Sequence, residues 1–250
     1  MRFLPLVTAT IVLVLFEFFF FYPKAIYVSL ALSGLAIFFA LWQLAKTSFV
    51  DKRWWNFFIL PAVFMVGLAA YSMALSGKFF IQFLFLSNAI FIYFYLRFAY
   101  CYLIQPVLHR EQTFDNVFSG GNFLAFFFAA SAVYSLQSFL NAPTWLLMSV
   151  LVAVTALAVY QSMWANKIDI GARYVYILAA CLIIFELGWA ISFLPVNYNI
   201  AGFILAACYH IFTGLSKLYL LEKLNKKSVK AYLVFGFLSI FFVLLTARWV

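Results

Sequence analysis

RYVYILAACLIIFELGWAISFLP (Arg173–Pro195), VNYN (Val196–Asn199) and IAGFILAACYHIFTGLSKLYLL (Ile200–Leu221) decide the fold. Two apolar runs of about twenty residues flank a short polar turn. As helices, such runs cross a hydrocarbon core of about 30 Å. One run carries Glu186 and the other His210. Counted from the turn near Asn197 at about 1.5 Å per residue, both lie about 16–20 Å along their helices. That count predicts one shared depth close to the bilayer midplane. A charged side chain there is costly, so each should face the protein interior or pair.

The composition extends this reading to the whole chain. Of 250 residues, 68% are hydrophobic and 9% charged, against about 25% charged in an average soluble domain. This is an all-α polytopic membrane protein with little mass outside the bilayer. Nine apolar runs follow one another: Phe3–Tyr22, Lys24–Ala45, Trp54–Leu75, Phe79–Ile104, Gly120–Leu140, Thr144–Trp164, Arg173–Leu194, Ile200–Leu221 and Val229–Val250. They lack the alternating pattern of barrel strands. The first lacks a small-residue cleavage site before Lys24 and is expected to be retained as a helix.

A net charge of +9 would suit nucleic acid, but the basic residues sit at the ends of the runs. There they set orientation and meet anionic lipid, so membrane lipids are the expected partners and nucleic acid is not. Of the 16 basic residues, only Lys24, Lys78 and Arg248 fall on one side of the nine-span topology. The other side is therefore cytoplasmic: the N-terminus lies inside and the C-terminus outside a cell membrane, in a bacterium the inner one. Among the cytoplasmic group, Lys223, Lys226, Lys227 and Lys230 cluster in EKLNKKSVK and are expected to anchor the last hairpin on lipid head groups, at about 1 kcal/mol each.

The turns on the outer side are short, around Tyr22-Pro23-Lys24, Ser76-Gly77-Lys78, Asn141-Ala142-Pro143 and Pro195–Asn199. They predict antiparallel hairpins. The longest loop, Gln105–Ser119, is cytoplasmic. Shifting the chain by 120 residues lays Pro23 on Pro143, Arg53 on Arg173 and Ser72 on Ser192. One membrane domain, 1–250, thus has candidate repeat halves 1–104 and 120–221, in parallel orientation, plus a last helix at 229–250. Evenly spaced spans alone would give the same match.

Gly202, Ala206, His210 and Gly214 recur every four residues in the eighth run. Small residues at that spacing let membrane helices approach closely, so this face should meet another helix. Asn88 lies about eleven residues from its own outer turn. Glu186, His210 and Asn88 then form a candidate polar layer, with Tyr209 and Thr213 as neighbours. If they meet, two readings stand, a buried hydrogen-bond cluster that locks the bundle, or a proton or ion relay or polar head-group site; otherwise the residues do not face each other at all. Imidazole changes charge near neutral pH, which suits proton handling. In either case His210→Leu is expected to destabilise the protein by leaving Glu186 underpaired. Glu17 is expected to snorkel or to pair with Lys24.

No HExxH, GxSxG, GxxxxGK[ST] or CxxC occurs, and Cys101, Cys181 and Cys208 lie in apolar runs as packing residues. Neither metal nor cofactor is expected. Asp169–Arg173 matches the start of a lipid-phosphotransferase signature but lacks its further aspartates. A retinal protein would need a mid-membrane lysine, and Lys217 lies at a helix end. The stretch Gly188-Trp189-Ala190-Ile191-Ser192-Phe193-Leu194-Pro195, with Tyr209-His210 and Gly214, resembles a family of multi-pass membrane proteins from small-genome candidate-phylum bacteria. That resemblance brings no activity with it.

Three functions follow as expectations. The first is a small proton-coupled transporter or ion-conducting protein. The second is a non-catalytic subunit or scaffold that binds a membrane-protein partner or a second copy of itself. The third is an intramembrane lipid-modifying enzyme. The orientation has a direct test. A reporter enzyme active only in the cytoplasm, fused after Val250, is expected to be silent, and an active fusion would contradict the outside C-terminus.

Overall fold

A backbone amide inside hydrocarbon has no water to bond, so each spanning segment must satisfy its own N–H and C=O groups. The computed structural model describes residues 3–46, 54–104, 111–166, 168 and 170–247, and shows how the chain meets that demand. Among them are nine helices and no strand: α1 (Leu4–Phe21), α2 (Ile26–Lys46), α3 (Ile59–Met73), α4 (Lys78–Ile104), α5 (Glu111–Leu140), α6 (Thr144–Ala165), α7 (Ile170–Ile191), α8 (Tyr198–Leu220) and α9 (Lys226–Thr246). Each belongs to a segment long and apolar enough to cross a membrane. The all-α, nine-helix bundle read from the sequence is the architecture observed.

The breaks between helices have local causes. Asn141 has φ 48°, and asparagine is one of the few residues that enters this left-handed region readily. It stops α5 two residues before Pro143. Asn197 caps α8, its side-chain oxygen accepting from the Asn199 N–H at 3.0 Å. Asn225 caps α9, accepting from the Ser228 N–H at 2.7 Å. Helix α9 therefore starts at Lys226, three residues before the apolar run, and places three of the four clustered lysines at its start.

Two boundaries differ from the sequence reading. Residues 111–119 of the expected loop are helical, because α5 already begins at Glu111. No proline interrupts that stretch, and Glu111 and Gln112 are good helix formers. The third span begins as a 3₁₀ segment, Trp54–Phe58, before α3. Pro61 falls in the first turn of α3, where its missing N–H costs nothing.

Contacts divide the chain into two compact units, 1–118 and 119–250. In the first, α1 packs against α2 and α4. Phe85 of α4 lies edge-on to Phe16 of α1, with ring centroids 5.2 Å apart, and Phe64 of α3 stacks on Phe91 of α4 at 4.0 Å. The Tyr95 hydroxyl donates to the Phe57 carbonyl at 2.6 Å, tying α4 to the 3₁₀ segment.

In the second unit, α6 packs along α7, α7 on α8 and α8 on α9. Helix α5 joins them through side chains. Phe126 and Tyr209 stack at 4.3 Å with planes 6° apart. The Tyr134 hydroxyl donates to the Gly188 carbonyl of α7 at 2.9 Å.

The closest approach is at Gly202 of α8, where an added Cβ would lie 2.8 Å from the backbone of Ser131 on α5 and would collide with its hydroxyl oxygen. Backbone cannot step aside as a flexible side chain can. Gly202→Ala is expected to destabilise the bundle by about 1–3 kcal/mol through overpacking. Gly120→Ala, with nothing within 4 Å, should be neutral or gain up to about 1 kcal/mol. Unfolding of the two variants in mixed detergent and denaturant gives the comparison.

Candidate functional site

Helix α7 buries Ala180, Ile184, Gly188 and Ile191, one stripe at helical spacing. Glu186 lies two residues from both Ile184 and Gly188, which turns it to the opposite side of the helix. It is exposed there, among Leu182, Phe185, Trp189 and Phe193, which are also exposed. It has no hydrogen-bond or ion-pair partner among the described residues. The interior or paired position expected for Glu186 is therefore not observed.

The depths differ as well. Glu186 is five residues from the end of α7, about 8 Å, whereas His210 is twelve residues into α8, about 18 Å. The count from Asn197 gave equal depths because it treated the turn residues 192–197 as helix. His210 takes its neighbours from other helices. Its ring meets Phe123 of α5 edge-on at 5.6 Å and Tyr232 of α9 at 5.9 Å. Its ring nitrogens have no hydrogen-bond partner among the described residues. The imidazole lines a cavity of about 350 Å³ between α5, α8 and α9.

The other members of the expected layer each have surroundings of their own. Thr213 is occupied by its own helix, its hydroxyl donating to the Tyr209 carbonyl at 2.8 Å. Tyr209 is stacked on Phe126, and its buried hydroxyl has no partner among the described residues. Asn88 belongs to the first unit, where it is fully buried and both amide atoms lack a partner among the described residues. Ser29 and Ser33, on α2, are buried there with unpartnered hydroxyls as well. Among the described residues, no hydrogen bond joins Glu186 to His210. With no bond from His210 to lose, the destabilisation expected of His210→Leu loses its basis.

The small-residue face of α8 is buried along Gly202, Ala206 and Gly214. Gly202 meets Ser131 of α5. Gly214 meets Tyr232 of α9, whose Cε1 would lie 2.5 Å from an added Cβ. A second glycine, Gly236, holds the same pair of helices by admitting the end of Ile211. Lys223, Lys226, Lys227 and Lys230 are exposed around the turn and start of α9.

Two polar anchors were not read from the sequence. Glu17 bonds to Gln82 of α4, whose amide donates at 2.9 Å, so its partner is on a neighbouring helix and is not the expected Lys24. Arg173 looked like a topology signal. It is buried at the base of α7, donating to the Ile168 carbonyl at 2.7 Å and lying over the Tyr160 ring at 5.6 Å. Its position between two apolar helices was the available signal. Cys101, Cys181 and Cys208 are free thiols. Asp169 and His109, which bear on the lipid-enzyme reading, lie outside the described residues, as do Arg2, Lys52, Arg53, Arg110, Lys167 and Arg248.

No protein-family model matches the chain, and neither a curated protein nor a solved structure does.

The two carboxylates should respond oppositely to removal. Glu17→Leu strips Gln82 of its acceptor and is expected to cost about 1–3 kcal/mol. Glu186→Leu removes a partnerless carboxylate from an apolar face, so the protein by itself should keep or gain stability. Denaturation of both variants in lipid nanodiscs checks the sign of each.

Proposed function

We propose that this protein is a non-catalytic membrane subunit that binds another transmembrane protein through the outer half of α7. Glu186 carries the reading. A carboxylate on the outward face of a spanning helix is costly in lipid, and intramembrane acids ordinarily meet a partner. Leu182, Phe185, Trp189 and Phe193 around it offer a ready contact surface. The complementary partner is a transmembrane helix presenting a basic or hydrogen-bond-donating side chain at the depth of Glu186. The orientation expected from the basic residues, N-terminus inside a bacterial inner membrane, places that contact in the outer leaflet. Lys223, Lys226, Lys227 and Lys230 then anchor the inner end of α9 on anionic lipid.

A second reading is transport of an ion or small solute. The buried, unpartnered Asn88, Ser29 and Ser33 of the first unit favour it, because unpaired polar groups in an apolar interior are suited to a polar passenger. One pair of measurements separates the two. A photoreactive amino acid at Leu182, in native membranes, is expected to give one discrete cross-linked product that Glu186→Leu abolishes. Absence of any such product, together with ion or proton flux by the purified protein alone in vesicles, would overturn the subunit reading and establish transport.

A further inference from the structure

The cavity at His210 serves no purpose in that reading. Its walls come from Phe123 of α5, from Phe203 and Ala207 of α8, and from Tyr232 and Phe235 of α9. Its volume of about 350 Å³ falls within the range of about 300–1,000 Å³ typical of small-molecule sites. Aromatic rings dominate the walls. Ser239, at the far end, spends its hydroxyl on the Phe235 carbonyl of its own helix at 2.7 Å. His210 lines this space, and its ring nitrogens have no hydrogen-bond partner among the described residues.

Depth narrows the occupant. His210 is about 18 Å from the outer end of α8 and about 15 Å from its inner end. Half of a hydrocarbon core is about 15 Å, so a phospholipid head group does not reach it. An acyl chain reaches it but leaves both ring nitrogens unpaired. A neutral, membrane-soluble molecule with an oxygen acceptor on a flat ring satisfies the imidazole N–H, and its ring faces Phe123, Phe203 and Phe235. We infer that the groove between α5, α8 and α9 binds a lipid-soluble quinone, with a ring carbonyl accepting from His210.

Two glycines set how α9 sits on α8 beside the groove. Gly214 under Tyr232 and Gly236 over Ile211 bring the helices together, and Gly236 is the buried residue of α9. Ala231, exposed at the rim, supplies no bulk to close the space. Entry from the lipid phase is therefore lateral.

The test uses the purified chain in nanodiscs with an azido-benzoquinone carrying a ten-carbon tail. Photolabelling should be saturable, map to peptides containing Phe123, His210 or Tyr232, and be competed by the unmodified decyl-benzoquinone but not by decylbenzene. His210→Phe keeps the ring volume and should weaken competition about tenfold or more, the loss of one hydrogen bond in an apolar setting. Ala231→Trp, which fills the rim without touching the buried core, should abolish labelling. Glu186→Leu should label normally, so failure of the subunit reading leaves this result intact. Equal competition by decylbenzene, or wild-type binding by folded His210→Phe, would overturn the inference. So would labelling that persists in Ala231→Trp.

Discussion

Polar groups in an apolar medium must find partners within the protein, and the structure follows from that constraint. It forces the backbone into helices. It also governs side chains. Thr8, Thr155 and Thr213 donate to carbonyls one turn earlier on their own helices. Longer polar side chains reach across: Gln82 to Glu17, Tyr134 to Gly188, Tyr95 to Phe57. These bonds join helix pairs whose apolar surfaces alone would gain little by leaving lipid. The groups that remain unpaired are then the informative ones. Glu186 is exposed, His210 lines a groove, and Asn88, Ser29 and Ser33 are buried in the first unit.

The helices themselves were legible in the sequence, because about twenty apolar residues between turn-forming residues leave few alternatives. The close-packed face of α8 was legible for the same physical reason, since Gly202, Ala206 and Gly214 have no side chain to keep a neighbour away. The orientation of Glu186 was not recognised, although the rule that succeeded for α8 applies to α7. Ala180 and Gly188 lie on one side of that helix, and Leu182, Phe185 and Trp189 share the other with Glu186. Bulky apolar residues beside an acid mark an outward face. The depth error came from residues 192–197, which are turn and not helix. The Glu17–Gln82 and Arg173–Ile168 bonds depend on which helices become neighbours, and one-dimensional spacing does not contain that.

Helix α9 shows how small residues set function as well as packing. It touches α8 closely where glycine permits, and its remaining surface is largely exposed: Phe235, Phe237 and Phe242 are each more than 60% accessible. A tightly seated α9 would close the space beside His210. A helix held at two glycines leaves that space open on the lipid side. Tyr232 therefore has two roles, filling the gap over Gly214 and forming one wall of the groove.

The central claim is that Glu186 and His210, on consecutive helices of the second unit, serve different surfaces, Glu186 the outward face of α7 and His210 the groove beside α9. Oxygen accessibility of single nitroxide labels along α7 tests it directly in the purified protein reconstituted alone. The account predicts high collision rates at 182, 185, 186 and 189 and low rates at 184 and 188. A label at 186 as protected as one at 184 would place Glu186 inside the bundle and contradict the account.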